Sequence, residues 1–156
     1  LEILKDPHAG AFAIISCGIY MLSYVGIYSS LTIESVRIIA LSFMISRAFS
    51  GLSVVTFPQV RKSGEGIVAT FSENAADNVT KIVLTLYLIL IGGTMLALGG
   101  IQGAAALVTA ILVFGYYHHL ALSKFGGVTG DLAGYFLQLC EIFMALAVVV
   151  CNAMIG

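Results

Sequence analysis

Ala9–Tyr28 runs for twenty residues without a charged side chain, and nothing else in the chain limits the fold so sharply. A backbone crossing a hydrocarbon core of roughly 30 Å has no water to bond with, so it must satisfy its own N–H and C=O groups. A helix of about 20 residues does this over that distance. Apolar stretches of similar length follow at about Thr32–Phe57, Ile82–Leu98, Ile101–Tyr117 and Leu132–Ile155. The pattern predicts an all-α, polytopic membrane bundle of about five transmembrane helices. The spans are 9–28, 32–57, 82–98, 101–117 and 132–155, within one domain over residues 1–156. Composition agrees, with 60% hydrophobic and 10% charged residues, where soluble domains average about 25% charged.

A net charge of −1 leaves no electrostatic footprint for nucleic acid, so the expected surroundings are the lipid bilayer. Homo-oligomerisation stays open. Cys17, Cys140 and Cys151 all lie in apolar runs and read as small membrane-buried hydrophobes, not as a disulfide or metal set. Leu1–Pro7 reads as the end of an amphipathic surface helix, with Pro7 marking a boundary. The chain opens in mid-pattern on a polar segment without Met, which predicts that residues upstream of Leu1 are missing.

Two connections are short, at Ser29–Leu31 and Gly99-Gly100. The longest polar segment, Pro58–Thr80, carries Arg61, Lys62, Gly64, Glu65 and Gly66, then Glu73 and Asp77. Thr70 and Glu73 have capping-box spacing, so a helix is expected to begin near Phe71. Arg61 and Lys62 suit either phosphate groups or an anionic leaflet. Tyr116, Tyr117, His118 and His119 stand where the fourth span leaves the membrane and read as an interfacial belt. Basic residues gather before span one, between spans two and three, and between spans four and five. The positive-inside rule therefore places these three segments on the cytoplasmic face.

Charges inside the spans need a reason. Glu34 and Arg37 can pair at i, i+3 near one end of the second span. Arg47 lies about 15 Å from Phe57 along a helix, too deep for snorkelling alone. It reads either as a structural ion pair with an acid such as Glu141 or as a guanidinium holding an anion in a polar cavity. Glu141 is equally costly without a partner, water or a metal. Ahead of it runs Phe125-Gly126-Gly127-Val128-Thr129-Gly130-Asp131, whose glycines keep the backbone free to bend with its N–H groups uncovered. Asp131, Gly134, Gln138 and Glu141 then share one stripe of the following helix. Asp131 reads either as the N-cap of that helix or as a metal- or phosphate-side carboxylate.

Acidic groups at one membrane face, a deep arginine and a glycine loop suit a phosphorylated substrate, with carboxylates on Mg²⁺ and Arg47 neutralising charge. The alternative is a membrane transporter or channel fragment with an ion or solute site at the glycine break. Clustering of the charges toward one face and the lack of an internal repeat speak against it. A purely structural subunit leaves the deep Arg and Glu without a reason.

Three segments in order resemble the cobalamin synthase family, the adenosylcobinamide-GDP ribazoletransferases. Leu1–Phe12 resembles the end of that family's first conserved region. Ser46-Arg47, the Phe57-Pro58 exit and Arg61-x-x-Gly64-x-Gly66 resemble its next motifs. Gly126-Gly127-Val128-Thr129-Gly130-Asp131, with Gly134 and Glu141, is similar to its Gly-Gly-x-Thr-Gly-Asp helix. The resemblance implies a Mg²⁺-dependent, multi-pass transferase of vitamin B12 synthesis. Such an enzyme joins adenosylcobinamide-GDP to α-ribazole or its 5′-phosphate and releases GMP. It further implies Asp131, Arg47 and Glu141 as catalytic residues. Lys5, Asp6, Ser46, Arg61, Gly127, Thr129 and Gly130 become substrate-binding, and Asp131 and Asp6 become metal ligands. Gln138 stands where the family usually has an acid, and the family's Asp-Gly-x-x-Asp motif, upstream of Lys5-Asp6, is absent from this chain.

Overall fold

The structure, a computed structural model, describes residues 10–58 and 77–155. Lys5, Asp6, Arg61, Lys62 and the Thr70/Glu73 capping box lie outside the described residues. Two units are distinguished, Leu1–Ser30 and Leu31–Gly156.

In the first unit α1 spans Ala11–Ser29 with no acidic residue in its first turn and no basic one in its last. Tyr20, Tyr24 and Tyr28 follow the i, i+4 spacing along one face, and the Tyr24 and Tyr28 rings stack at 4.0 Å. The helix ends where Ser29 and Ser30 donate their hydroxyls to the Gly26 carbonyl at 2.9 and 3.0 Å. These bonds satisfy an acceptor that the helix end leaves open.

The second unit begins with a 3-10 turn, Ile33–Ser35, leading into α2, Val36–Thr56. Next comes α3, Asp77–Leu120, then one π-helical turn at Ala121–Phe125 and α4, Gly130–Ile155. A straight helix as long as α3 would span about 66 Å, twice the thickness of a bilayer core. Instead α3 breaks at Gly100, with φ 49° and ψ −122°, backbone angles that glycine adopts without penalty. The two halves fold back on each other. A Cβ on Gly103 would fall on the Met95 carbonyl, and one on Gly92 would touch Leu107 at 3.7 Å.

Antiparallel helices keep a constant sum of paired residue numbers, and α2 and α4 show this over their full length. The Val128 amide donates to the Pro58 carbonyl at 2.9 Å, Ser46 meets Glu141 at 3.1 Å, and Asn152 meets Ser35 at 2.8 Å. The first half of α3 also runs antiparallel to α2, since Gly51 faces Leu84 and Gly99 faces Ile38. The second half runs parallel to it, joined through Phe49–Phe114 at 4.7 Å and Ser53–Tyr117 at 3.4 Å. The result is an up-down-up-down packing of four helical rods.

The core holds Ile45, Met95, Tyr117, Phe136, Met144 and Val148, all essentially without solvent contact. Leu86, Ile89, Leu90, Ile111 and Leu112 point outward and are exposed, the arrangement expected when the surrounding solvent is lipid. Among the described residues four helices are long and apolar enough to cross a membrane, and the third is the one that doubles back. The architecture is an all-α polytopic membrane bundle.

Candidate functional site: a Glu–Ser–Arg cluster beneath a glycine loop

The register of α2 against α4 sets the site. Glu141 projects from α4 with its side chain 12% exposed, and Arg47 from α2 forms an ion pair with it through Nη1 and Oε1. Ser46, fully buried, lies between them. Its Oγ is 2.9 Å from the Phe43 carbonyl and 3.1 Å from Glu141 Oε1, so its single proton has two acceptors. The same oxygen accepts from Arg47 Nη1 at 3.0 Å. Phe43 adds a carbonyl 3.4 Å from Nη1 and a ring whose centroid is 5.5 Å from the guanidinium carbon.

Among the described residues, the polar contacts that hold Arg47 therefore all fall on one nitrogen. The rest of the planar guanidinium, on a side chain 57% exposed, faces a groove of about 560 Å³ between α2 and the first half of α3. Met44, Val83, Leu84 and Tyr87 line that groove, and among the described residues Arg47 is the charge in it. A guanidinium with one edge anchored and one edge open can bind an anion bidentately. Of the two sequence readings of Arg47, the ion pair with Glu141 is the one its contacts show.

The glycine loop closes the same end of the bundle that Pro58 reaches. Gly126 adopts φ 72° and donates to the Ala121 carbonyl. Gly127 donates to that carbonyl too, at 3.0 Å, and Val128 donates to Pro58. These amides are occupied, so the loop is not the open nest of N–H groups that its glycines suggest. Thr129 is the N-cap of α4, its Oγ1 accepting from the Leu132 amide at 3.3 Å. That corrects the reading of Asp131 as the cap, because α4 begins at Gly130 and Asp131 already lies in its first turn. The amides of Gly130 and Asp131 are those a helix start leaves without an intrahelical acceptor.

Asp131 is exposed and has no ion pair or hydrogen bond among the described residues. It stands about 15 Å along α4 from Glu141, so the structure does not bring the two carboxylates together. No group of three or more His, Cys, Asp or Glu among the described residues could hold a metal ion. Asp131 still fits Mg²⁺ as a single hard oxygen ligand, since that ion commonly takes one or two carboxylates and completes its shell with phosphate and water. Lys5, Asp6 and Arg61 lie outside the described residues.

Sequence reading also misplaces Tyr117. Expected in an interfacial belt, it is buried, stacked on Phe136 at 4.8 Å and within 3.4 Å of Ser53 Oγ. Consecutive helical residues point about 100° apart, and here Tyr116 is exposed while Tyr117 turns into the core. His118 and His119 remain exposed, and His118 sits edge-on to Phe57 at 4.7 Å. A second polar cluster at the far end of the bundle, Thr32, Ser35, Gln102 and Asn152, was not anticipated. The signal was present as two amide side chains inside apolar runs, positions where polar groups need partners.

Sequence comparison places these features in context. Residues 1–149 match the profile of the family described as CobS, cobalamin-5-phosphate synthase. The chain is 48% identical over 155 residues to an adenosylcobinamide-GDP ribazoletransferase of Lachnoclostridium phytofermentans, covering 99% of this chain and 59% of that protein. It is 30% identical to the protein of that name from Treponema denticola, covering 91% of this chain and 58% of the relative. The Pseudomonas fluorescens protein is 29% identical, with 91% and 57% covered. The chain thus spans somewhat more than half the length of the curated relatives it matches. No solved structure matches it. With its glycine-loop helix, its Ser-Arg pair on α2 and a profile match over nearly its whole length, the chain belongs to the cobalamin-5-phosphate synthase family.

Proposed function

We propose that this chain carries the Arg47–Glu141 cluster and the glycine loop of an adenosylcobinamide-GDP ribazoletransferase. The observation that carries this reading is the Ser46–Arg47–Glu141 cluster, found in a chain 48% identical to a protein of that name. The reaction joins adenosylcobinamide-GDP to α-ribazole or its 5′-phosphate. An oxygen of the ribazole component forms a bond to the phosphorus on the cobinamide side. The bond from that phosphorus to the bridging oxygen breaks, GMP leaves, and the attacking oxygen gives its proton to water.

Arg47 offers its free edge to the phosphate oxygens, and Glu141 and Ser46 keep that edge aimed into the groove. Asp131 and the first turn of α4 receive phosphate or metal at the membrane face. Mg²⁺, held there by Asp131, would supply charge neutralisation for the phosphate groups. The complete protein, reconstituted in vesicles with Mg²⁺ and both substrates, should release GMP and form the corrinoid product in equal amounts, as read by chromatography. Movement of either substrate across the vesicle wall with no GMP formed would replace this reading with transport.

The loop after Pro58 and the glycine loop are proposed to face the cytoplasm across an inner membrane, because the basic residues concentrate there. In a background without native cysteines, Cys at Ser63 or Ser123 should be labelled from the cytoplasmic side. Labelling of either from the outer side alone would reverse the orientation.

A further inference from the structure

At the end of the bundle away from the glycine loop, three segments meet through side-chain hydrogen bonds. The Asn152 amide, near the end of α4, donates to Ser35 Oγ at 2.8 Å. Asn152 Oδ1 accepts from Gln102, which begins the second half of α3. Ser35 Oγ also lies 3.0 Å from Thr32 Oγ1. Ser35 is fully buried, and no described buried side-chain polar atom lacks a partner. Apolar side chains would fill the same space without needing any of these bonds. What a satisfied polar pair adds inside an apolar bundle is a single permitted register.

The register matters because of where the other polar contact falls. Ser35 to Ser46 is the same number of residues as Glu141 to Asn152. On antiparallel helices, two contacts separated by equal intervals of about 16 Å can form together only in one alignment. Sliding α2 past α4 by a single residue breaks both. We propose that Asn152 is a positioning residue that holds α2 against α4 in the one register where Ser46 and Arg47 meet Glu141. It touches no substrate and acts through the arginine. This rests on the reading of Arg47 as the group that binds phosphate, but its structural half does not.

The test uses Asn152→Leu and Asn152→Asp in the complete protein. Leu has the branching and the number of side-chain heavy atoms of Asn without its bonds. Asp keeps an oxygen for Gln102 and a second for the Ser35 hydroxyl, which can turn to donate. Asn152→Leu should lower kcat by about 10-fold or more with little change in KM, because a misplacement of an ångström far from the chemistry has that effect. Asn152→Asp should recover most of the loss. In the Asn152→Leu background, Glu141→Gln should shift the unfolding midpoint by less than about half of its shift in the parent, although sites this far apart normally act additively. The midpoint measurement needs no turnover, so it stands even if the transferase reading fails. Additive midpoint shifts, unchanged kcat for Asn152→Leu, or equal losses for both variants would each overturn the proposal.

Discussion

Arg47→Lys in the complete protein should lower turnover about 100-fold while leaving the fold nearly intact, a loss of the size seen when one preorganised charge-stabilising donor is removed. The geometry gives the reason. One nitrogen of Arg47 serves Glu141, Ser46 and the Phe43 carbonyl, and the remaining edge has no polar partner among the described residues, on a side chain that lines the groove. A lysine ammonium is a single point of charge. It can satisfy Glu141 or reach a phosphate oxygen, but it has no second rigid donor for the other task. Arg47→Leu should behave differently, because it leaves Glu141 covered and without its cation. Its unfolding midpoint should fall by an amount corresponding to about 3–5 kcal/mol, and Glu141→Gln in the same chain should restore part of it. Thermal unfolding in detergent and the GMP-release assay read the two effects separately. If Arg47→Lys turns over at the parental rate, Arg47 is an ion-pair partner only.

Asp131→Asn and Glu141→Gln should fail in different ways, since about 15 Å of helix keeps the two carboxylates from sharing one ion. Asp131 is exposed at the start of α4, with its oxygens unengaged among the described residues. Its amide variant is expected to need about 10-fold more Mg²⁺ for half-maximal turnover, and raised metal should recover much of the rate. Glu141 is committed to Arg47 and Ser46. Its amide variant should lose about 10- to 100-fold in kcat at every Mg²⁺ concentration, through an arginine no longer aimed. Titration of turnover against Mg²⁺ for both variants separates the roles. A shifted midpoint for Glu141→Gln, with none for Asp131→Asn, would exchange the assignments.

The parts of the site differed in how readable they were. Arg47 and Glu141 stand out in the sequence because ionised groups at that depth need company, and few candidates exist for either. The glycine loop was legible as a break. Its chemistry was not, because whether a glycine amide is open depends on which carbonyl comes near. Here Ala121 and Pro58 take the amides of Gly126, Gly127 and Val128. Thr129 and Asp131 are both good caps by type, and only the backbone angle at which α4 starts decides that Thr129 does the capping. Tyr117 was placed outside because three neighbours were read as a belt. Its own contact with Phe136 and Ser53 turns it inward.

The helices themselves followed from sequence alone. Long apolar runs in a chain 10% charged have no other way to satisfy their backbone in lipid, and a run twice the bilayer thickness has to turn where glycine allows it. Which helix lies against which, and in what alignment, was decided only in three dimensions. The Ile38–Gly99 approach, the Ser35–Asn152 bond and the Arg47–Glu141 pair join positions that no helical period relates. Periodicity reports the environment that each face of a helix needs. It does not say which partner provides it, because in an apolar surrounding many faces are interchangeable until a few polar groups and close glycine contacts admit one register.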